Sequence, residues 1–222
     1  MIPIYVDTRP RRTPYLTILL IMLNVGVFAY QLTLSTEQLL ALVAIHAFTP
    51  DLLFGVRWDP QSLISLFSAM FLHGGWLHLG GNMLYLWVFG GTLENQLGKF
   101  RFLLLYLICG AAGALVHGFI YPDSGVPVLG ASGAISGLLG AFLVLHPKAK
   151  VITAIPIFFI IELATLPAIF VIGMWFLLQL AQGLGSLGAP ADVAWWAHLG
   201  GFALGAAAVL PRRIGKRKAK TP

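Results

Sequence analysis

Charge is what this sequence lacks most. Only 10% of its 222 residues are Asp, Glu, Lys or Arg, where a soluble domain carries roughly 25%, and 58% are hydrophobic. That deficit excludes an ordinary soluble domain and points to a polytopic membrane protein, long enough for one compact helical bundle. Cysteine is nearly absent: Cys109 stands alone in an apolar run, so no intramolecular disulfide can form. Acidic residues are scarce, 8 against 14 basic ones. The basic surplus gathers in a few segments, where it sets topology and touches anionic lipid rather than nucleic acid. No His-Glu-x-x-His pattern is present, which removes the common helical zinc protease site. The Asp residues fall outside the apolar runs, which removes an aspartyl mechanism. His73, His78, His117 and His198 follow no recognised metal-ligand spacing. Neither a metal nor a cofactor is implied, and no internal repeat or low-complexity segment is evident.

What is present is a set of long apolar runs. They predict an all-α, six-span membrane bundle with helices at about Tyr15–Leu34, Met70–Leu93, Phe102–Tyr121, Ala131–His146, Ala168–Leu184 and Ala194–Leu210. With the N-terminus inside, all but one of the 14 Lys and Arg residues fall on inner segments; Arg57 alone is outer. Such a positive-inside bias puts both termini in the cytoplasm. The chain divides into a basic cytoplasmic segment, 1–14, a membrane domain, 15–210, and a basic tail, 211–222. The first apolar run is long and no small-residue cleavage site follows it, so no cleavable signal is expected. Val151–Ile161 is apolar but too short to span, and Pro156, Glu162 and Pro167 interrupt it; it reads as an interfacial or re-entrant stretch. The first outer loop, about Ser35–Ala69, contains apolar stretches that should fold against the membrane surface.

Polar residues stand out against this background. Ser132 lies in Gly130-Ala131-Ser132-Gly133-Ala134-Ile135-Ser136-Gly137, His198 in the last span, and His78 and Asn82 four apart in the second. At about 1.5 Å per residue, all four sit roughly 18–24 Å above the inner ends of their helices. In a hydrocarbon core of about 30 Å that is one depth, in the outer half. The fourth helix is too short to reach the outer surface, so Tyr121–Gly130 must descend to meet it. Non-helical backbone at that depth is tolerated only inside protein or beside water. A wet cavity open to the outer face follows, with Ser132 at its floor.

A serine hydroxyl needs a base within hydrogen-bond reach, and His198 is the best candidate. Gly200, Gly201 and Gly205 let its helix approach the fourth one, and Gly133–Gly137 and Gly201–Gly205 are both small-xxx-small pairs. No Asp or Glu lies at the depth of His198, so a dyad is expected rather than a triad. The Ser132 amide, in the first turn of its helix, favours an anion. His78 and Asn82 share a helical face and could donate to the same oxygen. Alone, the glycine run would mean tight packing, and Ser136, Cys109, His46, His73, His117 and His146 read as structural.

The chain resembles the rhomboid intramembrane serine proteases. The resemblance is carried by Gly130-Ala131-Ser132-Gly133, by Ala197-His198-Leu199-Gly200-Gly201 with Gly205, and by His73, His78 and Asn82 followed by Gly90-Gly91-Thr92-Leu93-Glu94. It covers about Met70–Leu210. It implies Ser132 as nucleophile, His198 as general base, and an oxyanion hole of His78, Asn82 and the Ser132 amide. It also implies cleavage of transmembrane-segment proteins near helix-destabilising residues, with entry beside the fifth helix. Three positions depart from the pattern of many members. Leu63-Ile64-Ser65 stands where some carry a Trp-Arg pair, Ser136 where some carry Tyr, and Asn95 where a basic residue is common. The competing readings are an inactive relative that binds spans without cutting them, and a small transporter, which would show paired broken helices or more buried charge. The compact layout suits a bacterial cytoplasmic membrane.

Overall fold

The computed structural model describes residues 1–8, 10, 12–157, 159–188 and 193–218, with side chains up to residue 211. Arg9, Arg11 and Lys220, which enter the charge argument, lie outside the described residues.

Helices dominate. The first long one is α1 (Tyr15–Gln31), followed by α2 (Thr36–His46), α3 (Asp51–Phe54) and α4 (Gln61–Ser68). Ser35 starts α2 with a capping box, its hydroxyl accepting from the Gln38 amide while the Gln38 side chain accepts from the Ser35 amide. Next come α5 (Trp76–Tyr85), a π-type turn (Leu86–Gly90) and α6 (Gly91–Leu97), which run on as one rod. Then follow α7 (Lys99–Ile120), α8 (Ser132–Leu145), α9 (Ala168–Gly185) and α10 (Trp195–Lys218). By length and composition, α7 and α9 can cross a membrane; α4 with the turn after it, Gln61–Phe71, and the rod Trp76–Leu97 pass the same test together but are bent by 81°. The shorter helices α1 and α8 are also apolar.

The second span is therefore not the straight Met70–Leu93 helix expected. Its N-terminal end breaks at His73, and Gln31 of α1 explains why the break is tolerated. The Gln31 amide oxygen accepts from the His73 N–H at 3.0 Å and its NH2 donates to the His73 carbonyl at 3.1 Å. Backbone freed from the helix ladder is thus satisfied without water.

At the other end of the bundle, Glu94 fastens α6 to the start of α1. Its buried carboxylate accepts from the Leu16 and Thr17 amides and the Thr17 hydroxyl at 3.0, 2.8 and 2.9 Å. An anion at a helix N-terminus meets unpaired N–H groups and the positive end of the dipole.

The core is α8, whose residues Gly133–Phe142 are all buried. Small residues make this possible. A Cβ at Gly201 would overlap the Gly133 carbonyl oxygen, and one at Gly205 would overlap that of Gly137, so α8 and α10 touch backbone to backbone. Helix α7 closes the other side: a Cβ at Gly137 would strike Cys109, and one at Gly113 would strike the Ala197 carbonyl.

The all-α expectation needs correction. A three-stranded antiparallel sheet joins β1 (Ile2–Val6), β2 (Lys150–Ile157) and β3 (Ile160–Pro167) in the order β1-β2-β3. The apolar run expected as an interfacial or re-entrant stretch thus lies in the β2–β3 hairpin. Pro156 is tolerated because β1 pairs with β2 only as far as Ile2↔Ala154, so beyond that point β2 has a partner on one side. Pro3 lies in an edge strand, beside an irregularity between Pro3 and Tyr5. The Asp7 side chain accepts from the Lys150 amide at 3.0 Å and helps clip β1 to β2. Hence the 1–14 segment carries a strand, and α10 continues past the expected boundary at residue 210.

Candidate active site

The segment between α7 and α8 is held inside the bundle by backbone pairing. Phe48 and Val128 exchange hydrogen bonds at 2.9 and 2.7 Å, and the Gly130 N–H donates to the Ala69 carbonyl at 2.8 Å. Gly130 has φ of +116°, a left-handed conformation that favours glycine, and a Cβ there would also meet the His78 ring. Two residues later the chain enters α8 with Ser132 as its first residue.

Ser132, on α8, and His198, on the first turns of α10, stand side by side: the serine hydroxyl lies 2.8 Å from Nε2 of His198. The close approach of α8 and α10 sets this distance. His198 is 9% exposed and Ser136, a turn below, donates to the Ser132 carbonyl at 2.6 Å.

Across a cavity of about 720 Å3 stand His78 and Asn82 on α5. The Gly74 N–H donates to Nδ1 of His78 at 3.3 Å. With Nδ1 accepting, the neutral ring carries its proton on Nε2. That Nε2 and the Asn82 amide nitrogen both come close to the position a Cβ on Gly130 would take. The Asn82 nitrogen is buried with no hydrogen-bond partner. An unsatisfied buried donor costs roughly 1–3 kcal/mol, and within the protein this one is left free to donate into the cavity. The Ser132 amide adds a third donor in the first turn of α8.

All four residues singled out from the sequence, Ser132, His198, His78 and Asn82, line this one cavity. His117, read as structural, lines it too. His73 does not, although its ring is T-shaped against that of His78 with centroids 5.0 Å apart. Sequence reasoning missed Gln179 of α9. Gln179 Oε1 lies 2.6 Å from Nδ1 of His198, and the Trp175 ring stands 6.2 Å from the imidazole. Its signal was an amide four residues after a Trp in an otherwise apolar run, which fits one helical face turned inward.

A mostly helical, apolar bundle enclosing a paired serine and histidine defines a membrane protein with a buried polar site. Residues 60–213 match the Rhomboid domain family. The chain belongs to the rhomboid family. It is 43% identical over 96 residues to the mitochondrial Rhomboid protein 1 of Saccharomyces cerevisiae, covering 41% of this chain and 28% of that one. It is 45% identical over 78 residues to the rhomboid protease GluP of Bacillus subtilis, covering 35% and 15%. It is 34% identical over 84 residues to the Rhomboid-type serine protease 2 of Emericella nidulans, covering 38% and 16%. The matched stretches span less than a third of each relative's own length.

Proposed function

We propose that this chain is an intramembrane serine endopeptidase that cleaves proteins within or beside their transmembrane segments. The observation that carries the reading is the 2.8 Å contact between the Ser132 hydroxyl and His198 Nε2, in a cavity that His78 and Asn82 also line. His198 takes the proton of the Ser132 hydroxyl as its oxygen attacks the scissile carbonyl, and then returns it to the leaving amine. The carbonyl oxygen becomes negative and is met by the Ser132 amide, His78 Nε2 and the Asn82 NH2. Donors already fixed where charge develops supply much of the rate. In this reading the domain has six spans with cytoplasmic termini, α2, α3 and α4 sit at the outer face, and the sheet sits at the inner one. That layout favours the bacterial cytoplasmic membrane.

The test is reconstitution of the chain in liposomes with single-span reporter proteins that carry helix-destabilising residues. A reporter cut by the wild type is expected. Reporters that bind and stay intact in every case would favour a non-cleaving binder.

Asn82→Ala isolates the oxyanion contribution. Its kcat is expected to fall by about 10²–10³-fold. KM should hardly move, because the donor meets charge that exists only in the transition state. Steady-state cleavage of a reporter measures both; a rise in KM at constant kcat would assign Asn82 to ground-state binding.

A further inference from the structure

We infer that Gln179 is a positioning residue that fixes the tautomer of His198 and so completes a Ser132–His198–Gln179 chain. The inference rests on the reading of Ser132 and His198 as nucleophile and base. Helix α9 is mostly exposed, yet Gln179 is among its few buried residues, at 9% exposure. Burying an amide without a partner is costly. Its partner is the imidazole: Oε1 stands 2.6 Å from Nδ1 of His198.

The chemistry follows from what each atom can do. An amide oxygen only accepts, so Nδ1 must carry the proton. A neutral imidazole has one N–H, and Nε2 is left with a free lone pair. That lone pair faces the Ser132 hydroxyl, 2.8 Å away, and can take its proton. The opposite tautomer would put a proton on Nε2, leaving no base beside the serine. Many serine hydrolases use a carboxylate for this purpose. In a site wrapped by lipid-facing helices a buried carboxylate is expensive, whereas an amide sets the tautomer without adding a charge. Trp175, four residues earlier on the same face of α9, flanks the ring with centroids 6.2 Å apart, and Trp195 meets its edge at 6.0 Å. The base is thus held from α9 as well as from its own helix. Among the described residues, the other titratable side chains facing the cavity are His78 and Tyr85 from α5 and His117 from α7; none of these three has a hydrogen bond to Nδ1 of His198.

The test uses the full chain in detergent and the rate of covalent labelling by a fluorophosphonate, followed against probe concentration and pH. Labelling forms an Oγ–P bond at Ser132 and expels fluoride, with the hydroxyl proton passing to His198. Gln179→Met keeps the length of the side chain and removes the acceptor. Its limiting rate is expected to drop about 10–100-fold, part of the roughly 10²–10⁴-fold that a positioned base contributes, at an unchanged half-saturating concentration. Gln179→Glu restores the acceptor and the limiting rate at alkaline pH. Its carboxylate favours the imidazolium, which cannot act as base, so the acid limb of its profile moves to higher pH than in the wild type.

Gln179→Met labelling at the wild-type rate would overturn the role of Gln179. So would Gln179→Glu that labels no faster than Gln179→Met, with no shift of the limb, since the loss would then come from packing. Should the Met variant fail to fold, the Glu profile decides alone: a limb at its wild-type position overturns the proposal. Ser132→Ala runs beside them. If it still labels, the underlying serine–histidine reading falls; if it is silent while Gln179→Met is as fast as wild type, only the role of Gln179 falls.

Discussion

Ser132→Ala and His198→Ala are each expected to lower the turnover of a cleaved reporter by on the order of 10⁶-fold, and the double variant is expected to be no slower than either single one. The equality follows from the geometry. Nε2 of His198 has one polar neighbour in the cavity positioned to lose a proton to it, the Ser132 hydroxyl at 2.8 Å. With the hydroxyl gone, the imidazole has nothing to activate; with the imidazole gone, the hydroxyl is a weak nucleophile at neutral pH. Two residues that act as one device share one free-energy cost. In the proposed mechanism the donors at His78, Asn82 and the Ser132 amide survive in all three variants and set a common residual rate over water. Single-turnover cleavage in liposomes reads all three. If the double variant were slower by the product of the two single factors, the residues would act independently, and the nucleophile–base assignment would fail. A folding artefact is separable, because Ala at position 132 removes one oxygen atom and leaves the glycine contacts between α8 and α10 intact.

That a serine on one helix and a histidine sixty-six positions later form a pair was legible before any coordinates, and for a physical reason. In a chain with 10% charged residues, a hydroxyl or imidazole inside an apolar run is conspicuous, and glycines beside it announce a close approach. The helices carrying them were legible from the same apolar runs. The sheet was not. Its pairing joins Ile2–Val6 to Val151–Ala154, and contacts between such distant segments leave no local periodicity. Pro156 pointed the wrong way, because whether a proline fits a strand depends on which neighbour is missing. The bend at His73 was hidden as well: it depends on Gln31, a side chain from another helix that satisfies the broken backbone. Gln179 escapes a reading that expects a carboxylate beside His198, the orienting group of soluble enzymes. In lipid the neutral amide does the same geometric task at lower desolvation cost, and its spacing from Trp175 is a weak signal in a run that holds a second amide, Gln182, three residues on and exposed.

Gly205→Ala and Gly173→Ala should move stability in opposite directions, although both add one methyl group to a helix. At Gly173, on α9, nothing lies within 4 Å of a new Cβ. The gain there is about 0.5–1 kcal/mol, from the lower conformational freedom of alanine in the unfolded chain. At Gly205 the Cβ would lie on top of the Gly137 carbonyl oxygen, with the carbonyl carbon and Cα of Gly137 close behind. These are backbone atoms of the central helix, and no rotamer can move them aside. Helices α8 and α10 must part, at a cost of about 3 kcal/mol for the overpacking and the lost contacts. The same separation carries Ser132 away from His198, since one rides on α8 and the other on α10. A displacement of about 1 Å at a reacting pair is enough to cost roughly 10²-fold in rate. Gly205→Ala should therefore lose activity at temperatures where it is still folded, while Gly173→Ala keeps it. Thermal unfolding in detergent together with reporter cleavage below the transition distinguishes these effects. A Gly205→Ala chain as stable and as active as wild type would mean that the glycine contact with α8 does not set the spacing of the site.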